Sequence, residues 1–147
     1  RLDAWDNVNN RFQNVYYDSG WRDISAETAH LLQGFTNLAN PNYPSRIRRV
    51  GSVVDWRLAL TAPASYTGGN AILLMNAWTS FYPDIGYVAS ARNNTQNVDV
   101  YAYQLGGAMY LKGSVASGDE IFISLSTFTS QALPTTLPGV ASGSIPT

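Results

Sequence analysis

Cysteine is absent from this chain of 147 residues. That excludes a disulfide scaffold, thiolate zinc sites and a cysteine nucleophile. Charge is scarce as well: 13% of residues are charged, against about 25% in a typical domain. Nine basic residues face ten acidic ones. A general nucleic-acid footprint needs a basic surplus that displaces counterions, so nucleic acid is not an expected partner. No polybasic cluster suits an anionic membrane surface. The longest apolar run, Ala71 to Met75, falls well short of the ~18 residues of a membrane-spanning helix, and membrane insertion is not expected. Histidine occurs once, at His30, whereas catalytic zinc is usually held by several imidazoles. There is no G-x-S-x-G elbow, no phosphate-cradling glycine loop and no calcium loop of alternating Asp and Asn. No catalytic residue, metal or cofactor is expected.

Small polar and aromatic residues take the place of charge. The chain carries 14 Ser, 11 Thr and 12 Asn, and 9 Tyr, 5 Phe and 4 Trp bring the aromatic share to 12%. With 45% hydrophobic residues, this is the composition of a folded domain rich in short strands and turns, and not of a disordered chain. The length suits one domain. The chain opens on Arg1 without an apolar signal segment, as expected of a piece of a longer protein.

Three regions follow from the patterning. In residues 1–15, Leu2, Trp5, Val8, Phe12 and Val15 recur at helical spacing. They predict a short helical or extended arm, or the end of an oligomeric stalk. Residues 16–130 are dominated by strand signals. Tyr16 to Asp23 reads as a first strand bent at Gly20, and Ser25 to Leu32 as one capped helical turn. The clearest hairpin joins Arg46–Val50 to Val53–Leu60 through Gly51-Ser52. There Val54, Trp56, Leu58 and Leu60 share one face and Asp55 and Arg57 the other. Strands follow at 71–76, 87–92, 98–105, 108–112 and 120–127. About eight strands spaced by turns predict an all-β antiparallel two-sheet sandwich, jelly-roll-like. Residues 131–147 carry three Pro and two Gly without periodicity and read as an extended or loose tail.

Carboxylate pairs that would serve a glycosidase are poorly placed. Asp18 and Asp23 flank Trp21 but fall on opposite faces of a regular strand, and Asp119-Glu120 fits turn chemistry. Recognition is better supplied. A sugar site sets an aromatic face beside side-chain forks that engage hydroxyls. The candidates are Tyr66 and Asn70 in the 61–70 loop, Trp78, Tyr82 and Asp84 in the 77–86 loop, and Arg92, Asn93 and Asn94 at the 92–97 turn. The 61–70 and 92–97 loops can share one end of a sandwich, with Trp78 and Tyr82 arriving from a neighbouring subunit. Packing under long loops or in a subunit interface is the competing role for Trp78 and Phe81. Tyr43 in its Pro-flanked loop is the next place for a site.

Gly20-Trp21-Arg22-Asp23-Ile24, Arg46 to Val54 and Val115-Ala116-Ser117-Gly118-Asp119 resemble segments of the carboxy-terminal receptor-binding heads of bacteriophage tail fibres and minor tail proteins. The type is that of phages infecting Gram-positive bacteria. The resemblance spans about residues 17–127 and rests on scaffold motifs of strand, glycine turn and strand. It implies a homotrimeric head at the virion tail tip, joined to other tail proteins through its N-terminus. It also implies a non-enzymatic domain that binds host cell-wall saccharide. A carbohydrate-binding module of a lysin or glycosidase, and a structural tail or baseplate domain that binds proteins alone, are the alternatives. Low charge and apolar groups on both faces of the 98–105 strand suit a subunit interface.

Overall fold

The computed structural model describes residues 2–6, 11–15, 17–64, 66, 70–74, 78–113 and 115–143. Leu2–Asp6 (β1) and Arg11–Val15 (β2) pair antiparallel in a sheet of their own, with Trp5 opposite Phe12. The helical form of the expected arm is thereby corrected to an extended hairpin. Three Asn at positions 7, 9 and 10 compete for helical backbone bonds, and Trp5, Phe12 and Val15 favour strands. Val8 lies outside the described residues.

The remaining strands are β3 (Arg22–Asp23), β4 (Thr36–Asn37), β5 (Arg46–Val50), β6 (Val53–Thr61), β7 (Ala71–Leu74), β8 (Tyr87–Asn93), β9 (Val98–Leu105), β10 (Ala108–Lys112), β11 (Glu120–Phe128) and β12 (Val140–Ala141). They form one antiparallel sheet in the order β12-β3-β5-β6-β11-β8-β9-β10-β7, with β4 on the β6 edge beyond β5. The stretch β11-β8-β9-β10 is a Greek key: three strands joined by turns, and a fourth that returns beside the first. The sheet also curls back on itself. At its far edge the Leu32 N–H donates to the Ile72 carbonyl at 2.8 Å. Four residues on, Thr36 and Asn37 pair with Thr61 and Leu60. Segment 31–37 thus carries the chain from the β7 edge back to β6 and closes an all-β, jelly-roll-like sandwich.

Alternation decides which face goes in. On β6, Val54, Trp56, Leu58 and Leu60 are buried, while Arg57 is exposed. On β11, Ile121, Ile123 and Leu125 meet them, and β8 and β9 add Ala89, Ala91, Val100 and Ala102. The 46–50/53–61 hairpin turns as expected, with Gly51 at φ +55°, a conformation that strains any residue with a Cβ. Where β5 ends and β4 has not begun, the Ser45 hydroxyl seals β6. It accepts the Ala59 N–H at 3.1 Å and donates to the Ala59 carbonyl at 3.2 Å.

Three expectations need correction. Residues 25–32 form turns and not a helical turn, because the Ser25 hydroxyl accepts the Ser45 N–H instead of capping a helix. Residues 17–23 form no continuous strand, Tyr16 lying outside the described residues: Asp18 makes an isolated bridge to Val50, and pairing resumes at Arg22. The tail through residue 143 is anchored, not loose. The Arg49 guanidinium donates to the Gln131 and Ala132 carbonyls, Arg22 donates to those of Pro138 and Gly139, and β12 pairs with β3. Gly139 sits so close that a Cβ there would meet the Asp23 carbonyl oxygen at 2.0 Å.

Candidate functional site

The outer face of β5-β6-β11-β8 carries an open trough of about 610 Å³, a size that suits a small ligand. Its floor follows from the register. Arg46, Arg57, Ser124 and Ser90 stand in one row across the four strands. Ala59, Phe122 and Arg92 make the next row. The serines and the alanine leave a depression between the longer side chains.

Aromatic walls rise on two sides. Tyr43 projects from the 40–44 loop and is 53% exposed. The loop fixes it locally: the Asn42 N–H donates to the Asn40 side chain at 3.0 Å, and the Tyr43 N–H to the Asn40 carbonyl at 3.0 Å. The Tyr43 ring meets Phe122 edge to face at 5.3 Å. Opposite, the Arg57 guanidinium lies 5.7 Å from the centre of the Trp21 ring, a cation–π contact that orients both.

The lining holds three arginines and no carboxylate. Arg92 donates to the Asn97 side chain and reaches Asp99 at 3.5 Å. The Arg46 Nε is buried and has no hydrogen-bond partner among the described residues. Flat rings beside guanidinium forks and hydroxyls suit a polar ligand with an apolar side, such as a sugar. Among the described residues, no group of three or more His, Asp or Glu is placed to hold a metal ion.

Of the eight residues proposed from sequence, Arg92 alone lines this trough. Trp78 is a core residue, 7% exposed, wedged between His30 at 4.3 Å and Trp56 at 6.4 Å. It has no free face for a ligand, and packing was its role. Tyr82 is half-buried, with its ring against Gly107. Tyr66 stands edge-on to Phe35 at 4.9 Å and donates its hydroxyl to the Leu111 carbonyl. Asn70 is exposed at the start of β7. Asp84 accepts the Ser130 N–H at 2.8 Å and its hydroxyl at 3.0 Å, which braces the turn after β11. Asn93 is fully buried on Asp119, and the Asn94 side chain donates to Glu120 at 3.2 Å. The 61–70 and 92–97 loops do share one end, since Thr61 and Asn93 both lie beside the start of β11. There Asn93, Gln96 and the Ala116 N–H converge on Asp119 in a bracing network.

The sequence pattern does not single out Arg46, Arg57 or Phe122, and it draws attention to Trp21 only between Asp18 and Asp23. The signal was present in Phe122, an aromatic facing out between the inward Ile121 and Ile123. No family model, curated protein or solved structure matches this chain.

Proposed function

We propose that this chain is a receptor-binding head of a phage adhesion device, a non-enzymatic homotrimer at the virion tail tip that binds a host cell-surface saccharide. Other tail proteins join it through its N-terminus. The observation that carries the reading is the trough, where Tyr43, Phe122 and Trp21 offer ring faces beside the forks of Arg46, Arg57 and Arg92. Rings take the apolar side of a pyranose, and forks take its polar substituents.

A carbohydrate-binding module of a lysin would use the same trough. The oligomeric head is favoured by an exposed apolar cluster at one end of the outer face of β8-β9-β10, beyond the Arg92, Asp99 and Lys112 of the same face. Val88 is 63%, Tyr101 46% and Leu105 58% exposed. Tyr103 there stacks on Tyr110 at 4.9 Å. A monomer leaves this cluster in water, whereas a trimer would bury it.

The test is a pull-down on intact Gram-positive cells with purified wall polysaccharide as competitor. The reading expects binding that the polysaccharide abolishes. Binding removed by protease treatment of the cells, and untouched by polysaccharide, would replace the sugar with a protein receptor. Release of sugar from the wall would make the domain an enzyme.

A further inference from the structure

We propose that the trough is an oxyanion site, in which Arg46 and Arg57 together take one carboxylate or phosphate group. That the group is borne by a saccharide rests on the receptor reading above; the anion site itself does not.

Arg46 and Arg57 are direct partners across the β5-β6 ladder and both line the trough. Like charges opposite each other destabilise a sheet. The nearby carboxylates are engaged elsewhere. Asp23, opposite Arg46 on β3, accepts the Ser25 N–H at 2.8 Å. Asp55 accepts the Ser126 hydroxyl, and Asp99 faces Arg92. The buried Arg46 Nε lacks an acceptor among the described residues, a state that a bound oxygen relieves. Arg57 is oriented by Trp21 beneath it, so its fork is presented and not free to collapse.

The row continues with Ser124 and Ser90. The two guanidiniums in line donate and never accept, and the two serine hydroxyls can turn their O–H to donate as well. A neutral sugar hydroxyl needs an acceptor as often as a donor. An oxyanion needs donors alone, and planar forks match its paired oxygens. The surplus of charged donors therefore favours an anionic group over a neutral one, while Tyr43 and Phe122 remain available to the rest of the ligand.

The experiment follows the arginine Nε–H resonances of the native chain by NMR on titration with glucuronate, glycerol phosphate and glucose. Arg46 and Arg57 are expected to shift saturably with one or both anions and at least tenfold more weakly with glucose. Which anion binds more tightly identifies carboxylate or phosphate as the group. Arg46→Gln and the exposed-site Arg57→Gln are each expected to weaken anion binding tenfold or more, and Lys112→Gln to leave it unchanged. Arg57→Gln keeps the test decisive if Arg46→Gln unfolds. Glucose shifts as large as those of the anions, or anion shifts that survive Arg57→Gln, would overturn the proposal. Anions that bind while wall polysaccharide fails to compete in the pull-down would support the anion site and remove the saccharide reading.

Discussion

Asn93 and Asp119, both buried, are joined by a 2.6 Å hydrogen bond from the asparagine amide to the aspartate carboxylate. The same Asp119 oxygen accepts the Gln96 side chain at 2.5 Å and the Ala116 N–H at 2.7 Å. One carboxylate thereby ties the 92–97 turn to the connection that enters β11.

Those donors make the fold sensitive to acid. The Ala116 N–H first, and then the Asn93 amide, hold the Asp119 carboxyl below its ordinary range. A hydrogen bond from Arg48 does the same for Asp18. A depressed carboxyl contributes stability that is fully present above its unfolded pKa of about 3.9 and is lost as pH falls through the folded value. Urea midpoints are expected to be flat from pH 7 to 5 and to fall below about pH 4. Asp119→Ala is expected to lower the midpoint at pH 7 and to make the acid fall shallower. An equally steep fall in the variant would assign the acid sensitivity to other groups.

Arg49 is the clasp of the C-terminal segment. It is 3% exposed, and burial lowers its pKa. Its guanidinium reaches the carbonyls of Gly51 at 2.8 Å, Gln131 at 2.7 Å and Ala132 at 2.9 Å, and that of Ser80 as well. Arg49→Met leaves these carbonyls without their charged donor, at roughly 3 kcal/mol or more. Limited proteolysis is expected to cut the variant after residue 130 well before the wild type.

Trp56 is fully buried in the centre of β6, opposite Leu125 on β11 and Ile47 on β5. Trp56→Ala is expected to cost about 3–5 kcal/mol, as for other buried aromatics. Chemical denaturation measures this directly, and a loss under about 1 kcal/mol would mean that the core closes over the gap.

The uncovered β8-β9-β10 face sets the expectation for assembly. Three chains of 16.0 kDa give a mass of about 48 kDa in light scattering, the closed ring of a homotrimer. Leu105→Glu places a charge on that face and is expected to yield monomers with an unchanged far-ultraviolet circular dichroism spectrum. A wild type that is monomeric at micromolar concentration would favour the carbohydrate-binding module.

The strands were legible where alternation was strict. Val54, Trp56, Leu58 and Leu60 fixed the inward face of β6, and Gly51 marked its turn. Trp78 misled because a loop aromatic looks the same in sequence whether it points out or in, and only contact with His30 and Trp56 settles the direction. The trough was hidden for a different reason. Arg46 and Arg57 share one hairpin, but Ser90 and Ser124 lie far along the chain and join them only through strand pairing. The tail was misread because its Pro and Gly content resembles a loose terminus, while its anchors, Arg22 and Arg49, lie more than 80 residues upstream.

The most direct test of the account is the binding of the domain to an array of bacterial surface glycans, with Tyr43→Ala measured beside the wild type. Tyr43 is 53% exposed, so its removal spares the fold while stripping one wall of the trough. The account predicts that the wild type binds a subset of the glycans and that the folded variant loses about tenfold in affinity for them, the worth of about 1.4 kcal/mol. A folded Tyr43→Ala that binds the same glycans as tightly as the wild type would contradict it.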